Sequence, residues 1–439
     1  MTILYSFLCF FTFSIIFLLL FSGKTWHAVS LAIFIRSLSG YTNNIQFIGF
    51  NIQAFVSLAL AVGILLFLRK SKKFKDSKLG PLLIFMILYI LFFASLTAEN
   101  ILLHIRSALT WGSVLGTYII VRDHIETKDV KKFLKWILIF SIVPVGIGIF
   151  QYATGKFFDY RLSGEGRVVS SLPTPSAFGM FLLISMFIAF LYTSLTSSRL
   201  VRRFNYGYIT MLFILIILMR VRVTWFAIIL SLFFILIVSP IKLRNKLKII
   251  FVCIFLTVAF QSIIINRLKD IDINSIRINE ILNNADKPLS HAQSNLQQRL
   301  WIWSHYIHQV DSIWTGEGLG MTTRNELHLE FWGIDAVPHS DWITAYVELG
   351  ICGLFIFTLL ITYSLFKAIK YCKIKKPYHP FNTISAAAII ALTTLSFTEN
   401  FFFGYLILSG TFFIFIALME KNVIDYIYQK KKNSLIQMS

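Results

Sequence analysis

The stretch "PHSDWITAYVELGICGLFIFTLLITYSLFK", residues 338–367, opens on proline, histidine, serine and aspartate and then turns apolar, with one carboxylate, Glu348, caught inside. From residue 341 onward the run is long enough, as a helix, to cross a bilayer core of ~30 Å. Ionisable groups are costly at membrane depth and point to function by default. One segment thus suggests both a membrane-spanning helix and a reactive cluster at its mouth.

The rest of the chain repeats the apolar theme. Its 439 residues are 56% hydrophobic, 16% aromatic and only 14% charged, with a mean hydropathy of +0.72, far from the make-up of a soluble domain. The expected fold is an all-α integral membrane protein of about twelve transmembrane helices. Their expected positions are near 3–22, 47–68, 80–97, 101–121, 133–154, 173–196, 204–219, 222–239, 246–265, 341–367, 379–398 and 401–420. The segment 27–38, broken by Arg36, reads as an interfacial or re-entrant piece. The first apolar run lacks a charged leader and a small-residue cleavage site, so it is expected to be a retained span. Residues 1–265 then hold spans one to nine, 266–340 form a large, partly helical extracytoplasmic loop, and 341–439 hold spans ten to twelve with a basic cytoplasmic tail.

A formal charge of +20, from 41 Lys+Arg against 21 Asp+Glu, does not indicate nucleic acid, because the basic residues form no single surface. They cluster at 69–78, 122–135, 199–203, 242–248, 367–376 and 421–432, between apolar runs. With twelve spans all these clusters share one side with both termini, which the positive-inside rule makes cytoplasmic. Cys9, Cys253, Cys352 and Cys372 show no metal or disulfide spacing. The chain also lacks a P-loop, a GxSxG and an HExxH. No metal and no cofactor is expected.

The opposite face receives the candidate residues. "LMRVRVTWFAI", residues 218–228, places Arg220 and Arg222 at a very short turn between two spans. Arg161 and Arg167 lie in "DYRLSGEGRVVSSLPTPSAFG", residues 159–179, and Arg299 lies in "LQQRLWIWSHYI", residues 296–307. The latter has helical spacing, and its Trp301 and Trp303 suggest a helix at the membrane interface. Arginine forks bind diphosphate oxygens in pairs, so several of them converging outside the membrane suit a lipid diphosphate. The plainer reading of each is a side chain snorkelling to headgroups.

His339 follows Pro338, which reads as the start of the helix, and a helix N-terminus disfavours positive charge on an imidazole. A neutral His339 can accept a proton; the plainer reading is a polar interfacial anchor. Ser340 and Asp341 adjoin it. Glu348, nine residues on, is too far along a straight helix to be its direct partner and reads as a buried hydrogen-bonding residue or, alternatively, a catalytic one.

His339-Ser340, nine residues, then "GICG" (350–353) resembles the histidine signature of the O-antigen ligase and polymerase superfamily. "WTGEGLG" (314–320) resembles the glycine turn that precedes it there, "RVTWFAI" (222–228) is similar to the family's Ser-Arg-x-x-Trp helix start, and "GRVVSSLPTPSAFG" (166–179) to its loop before span six. The chain departs from the pattern at Val221, Ser340 and Thr174-Pro175.

The resemblance implies metal-independent, inverting glycosyl transfer on the periplasmic face of a bacterial inner membrane. An undecaprenyl-diphosphate-linked glycan is the donor and a second glycan the acceptor. Carried over by position, Arg222 and Arg299 hold the diphosphate and stabilise its leaving charge, and His339 activates or orients the acceptor hydroxyl. Arg167, Arg220, Ser340 and Asp341 assist in binding substrate. The lipid bilayer is a partner, and a chain-length regulator protein is admitted as another. The "HSDW" start favours a surface-polysaccharide polymerase over an O-antigen ligase acting on lipid A-core. A polysaccharide flippase also suits twelve spans, but calls for internal repeats and midplane charges.

Overall fold

A computed structural model describes residues 2–38, 51–68, 79–93, 95–96, 101–155, 168–172, 174–238, 246–247, 295–323, 337–372, 379–403 and 406–438. Among these residues the chain is helical, without strands. The helices are α1 (Thr2–Phe21), α2 (Thr25–Leu38), α3 (Ile52–Leu68), α4 (Leu79–Phe92), α5 (Ile101–Ile119), α6 (Thr127–Thr154) and α7 (Pro175–Ser194). They continue with α8 (Arg199–Leu218), α9 (Arg222–Val238), α10 (Asn295–His308), α11 (Asp341–Cys372), α12 (His379–Ser396) and α13 (Leu406–Met438). A π-helical turn, Ile120–His124, extends α5.

Four of these helices, α6, α7, α8 and α11, are long and apolar enough to cross a membrane, and shorter apolar helices lie within α1, α3, α4, α9 and α12. Each expected span falls on a helix except 246–265, of which only residues 246–247 are described. In water an amphipathic helix hides one apolar face; here the outward faces are apolar too. On α9, Phe226, Ile229, Phe233 and Ile237 are exposed at helical spacing while Thr224, Ala227, Ile228 and Ser231 are buried. An exposed apolar stripe opposite a buried small-residue stripe is what lipid contact on one side and helix packing on the other require.

The central helix is α7, whose residues from Ala177 to Ala189 are all buried. Thr174 caps it by accepting the Ala177 N–H at 3.1 Å, and Pro175 occupies the first turn, where a missing N–H costs nothing. The Thr-Pro departure is therefore a complete local helix start. Neighbouring α12 packs against α7, α9, α11 and α13.

Two charged residues are buried in the bundle with polar partners. Segment 27–38 is helical and packed into the bundle as part of α2. Arg36 is buried there, donating to Ser57 Oγ at 2.7 Å and Ser113 Oγ at 2.8 Å, because hydroxyls on α3 and α5 can solvate a guanidinium that lipid cannot. Residues from 421 onward continue the helix α13. Near its middle, Glu420 is buried against Arg122 Nε at 2.8 Å, Tyr118 OH at 2.5 Å and Lys367 Nζ at 3.6 Å, tying α13 to α5 and α11.

The segment 341–372 is not one straight rod. Gly350 breaks it with φ 66° and ψ −170°. The Trp342 and Phe357 rings meet edge-on at 5.3 Å, whereas fifteen residues of straight helix would separate them by ~22 Å. The short arm Asp341–Leu349 therefore folds back at an acute angle against the long arm that starts at Ile351.

Candidate functional site

The reversal at Gly350 leaves the ends of two helical arms short of hydrogen-bond partners, and the turn at 311–320 supplies them. Val347 O accepts from Glu317 N at 2.8 Å, Glu348 O from Gly318 N at 3.1 Å, and Leu349 O from Tyr89 OH at 2.7 Å. On the other arm, Ile351 N donates to Ile313 O at 2.8 Å. Gly316 and Gly350 both have positive φ, and a Cβ on Gly350 would stand 2.4 Å from the Trp314 carbonyl. Only glycine fits either place. The two glycine motifs read separately in the sequence are the two halves of one backbone clasp.

Behind that clasp α10 lies along the short arm, with Trp301, Ile302 and Tyr306 buried against Val347. Trp301 is therefore a core residue, and Trp303 is half-buried with its indole N–H donated to Pro338 O. Two residues apart on a helix, they point to different sides of α10, Trp301 into the short arm and Trp303 toward Pro338. Glu348 is buried, with Oε1 accepting from Thr322 N at 3.2 Å and Thr322 Oγ1 at 2.5 Å.

His339 sits two residues ahead of the helix, which begins at Asp341, so Pro338 is not its first residue. The first helical bond runs from Thr344 N to Ser340 O, 3.0 Å. His339 has φ 47°, a left-handed conformation that a non-glycine residue holds only under constraint. The constraint comes from both sides: Trp303 grips Pro338 O, and Asp341 is buried with its carboxylate bonded to Phe402 N and Phe403 N at 2.8–2.9 Å. Ser340 is buried as well. Ser340 and Asp341 thus lie beneath the surface of the site, where Asp341 fixes the short arm to the turn after α12.

That turn carries the residue the sequence reading passed over. Glu399, in the "TEN" turn between α12 and α13, is only 2% exposed. Its Oε1 accepts from Ser176 Oγ of α7 at 3.1 Å and faces Arg299 Nη2 of α10 at 3.3 Å. Arg299 Nη1 also donates to Thr398 O at 2.5 Å. The other oxygen, Oε2, makes no hydrogen bond and lies 3.6 Å from His339 Nδ1. Burial pushes this carboxyl up, but the adjacent His339 ring, the Arg299 guanidinium and the Ser176 hydroxyl outweigh it and hold Glu399 below the usual carboxylate value. Four elements meet on one carboxylate, while Arg299 and His339 keep 30% and 38% of their side chains exposed for a ligand.

The other arginines are placed less closely. Arg220, exposed, has φ 56° and turns the chain between α8 and α9; Arg222, half-buried, opens α9. The first turn of α9 packs on the first turns of α7, where a Cβ on Gly179 would meet Thr224 Oγ1 at 3.0 Å. The start of α9 and Ser176 therefore belong to the same end of the bundle. Arg161 and Arg167 lie outside the described residues. Among the described residues no group of His, Cys, Asp and Glu has the arrangement of a metal site.

Residues 207–358 match the family model described as O-Antigen ligase. The match supports the O-antigen ligase/polymerase superfamily. It covers the second half of α8, then α9, α10 and the reversal at Gly350, and so includes Arg222, Arg299 and His339, while Glu399 and Ser176 fall outside it. No curated protein matches the chain.

Proposed function

We propose, from the O-antigen ligase match over residues 207–358 and the arrangement around Glu399, that the protein is a polymerase of polyprenyl-diphosphate-linked oligosaccharide repeat units. It would work on the outer face of a bacterial inner membrane, with both termini in the cytoplasm. The observation that carries this reading is the convergence of Arg299 and His339 on one buried carboxylate. An undecaprenyl diphosphate is the donor's leaving group, and arginine forks match its oxygens.

In the transfer, the acceptor hydroxyl oxygen attacks the anomeric carbon from the face opposite the diphosphate. The C–O bond to phosphate breaks, and its electron pair leaves with the diphosphate. The hydroxyl proton passes to His339 Nε2. Glu399 faces Nδ1 and so orients the ring with Nε2 toward the acceptor. Arg299 and Arg222 stabilise the charge that develops on the leaving diphosphate. Glu399 neutralises part of the Arg299 charge in the free protein and holds that guanidinium by one edge. Arg220 and Arg167 assist at the rim.

A deletion strain tests the reading. Loss of long chains with one repeat unit still attached to lipid A-core supports a polymerase; long chains left unattached support a ligase. Restoration of full ladders by both His339→Ala and Arg222→Ala proteins that insert normally would refute the catalytic assignment itself.

A further inference from the structure

The turn at 311–320, which forms one half of the glycine clasp, carries two strongly exposed large apolar side chains, Ile313 at 54% and Trp314 at 69%. Their backbones are not loose. Ile313 O accepts from Ile351 N at 2.8 Å, and Trp314 O accepts from Tyr89 OH at 3.2 Å. Both carbonyls point into the seam between α4 and α11, so both side chains are turned outward beside it.

That seam has a definable level. Beyond Gly350 the long arm of α11 runs from Ile351 to Cys372, ~33 Å of helix, which is the thickness of a bilayer core. Tyr89 lies one turn from the end of α4. Ile313 and Trp314 therefore sit where the membrane-crossing parts of two helices end. The side chains around them are Phe92 and Phe93 of the α4 end and Ile351 and Phe355 of α11, all exposed and all apolar. Below them the same outward faces continue through Phe85 and Leu88 on α4 and Leu359 on α11. The patch is the upper rim of a lipid-facing wall, and tryptophan is the residue that favours such a rim.

We propose that Ile313 and Trp314 insert into the outer leaflet at its headgroup–acyl boundary and anchor the clasp, and with it the C-terminal end of α10, to the membrane. The occupant of this surface is lipid. A protein partner or a glycan would have to cover a patch continuous with the bilayer wall and offering no charged side chain from these residues.

The test reads location rather than transfer, so it stands or falls apart from the polymerase reading. In vesicles of phosphatidylcholine with brominated acyl chains, the fluorescence lost on going from wild type to Trp314→Phe isolates the Trp314 contribution. The expected result is loss of that contribution to bromolipid and little loss to aqueous iodide. Quenching by iodide with no effect of bromolipid would overturn the proposal and leave the patch to a water-borne partner. A second measurement uses Ile313→Cys, with the four native cysteines replaced, carrying a nitroxide. Higher accessibility to oxygen than to a nickel chelate supports insertion; the reverse order overturns it.

Discussion

His339 Nδ1 lies 3.6 Å from Glu399 Oε2, and the opposite oxygen of the same carboxylate faces Arg299 at 3.3 Å. An imidazole and a guanidinium brought from separate segments of the chain are thus set in fixed relation through one buried carboxylate. Changing Glu399 should misplace both partners at once. Glu399→Gln, which keeps the shape and a carbonyl for Arg299, is expected to lower the transfer rate about 10²-fold, in the range seen when an orienting carboxylate is removed from a histidine. The loss should fall on kcat, and rates with defined donor and acceptor check it. A variant that transfers at the wild-type rate would leave Glu399 a purely structural residue.

The same carboxylate makes stability depend on pH. Its pKa is depressed below the ordinary 4.5, because His339, Arg299 and Ser176 outweigh burial. A depressed acid stabilises the fold above its unfolded pKa, and that contribution disappears as pH falls through the lowered value. The difference in thermal stability between wild type and Glu399→Gln should therefore be full near neutrality and shrink only below 4.5. A difference that instead grew on acidification would contradict the sign.

Gly350 and Gly316 should not tolerate a side chain. Gly350→Ala forces a left-handed φ of 66° on alanine and drives its Cβ to 2.4 Å from the Trp314 carbonyl. The conformational cost alone is roughly 1–2 kcal/mol, and the backbone clash adds to it. Gly207, in open space on α8, supplies the control: Gly207→Ala should be neutral or stabilise by about 0.5–1 kcal/mol. Melting of the two purified variants in detergent separates the outcomes.

These glycines show what a sequence can and cannot disclose. "GEGLG" is legible as a turn and "GICG" as part of a family resemblance, yet apolar periodicity carries no φ, so 341–367 reads as one continuous span and the reversal stays hidden. Arg299 on a helix and His339 at the mouth of α11 were legible from residue type and spacing. Glu399 was not, because it stands in a three-residue turn where a lone carboxylate has no pattern; the only available signal was a charged residue between two apolar spans. Arg36 looked like a break because sequence does not tell that Ser57 and Ser113 lie across from it. The packing of Trp301 on Val347 was not legible, because an apolar helix face packs on protein or on lipid and composition does not say which.

Away from the site, Glu420 compensates buried cations. Glu420→Ala leaves Arg122 and Lys367 without this carboxylate, and loss of one member of a buried pair costs about 3–5 kcal/mol. Thermal unfolding should show that loss, while the folded fraction keeps its transfer rate, since Lys367 lies near the far end of α11 from His339.

The most direct measurement is turnover by purified protein in lipid nanodiscs, given a polyprenyl-diphosphate-linked oligosaccharide and an acceptor, with donor binding measured separately. The account predicts that His339→Ala abolishes chain extension while donor still binds, and that Arg299→Ala weakens donor binding and transfer together. Wild-type extension rates from folded samples of both variants would contradict it.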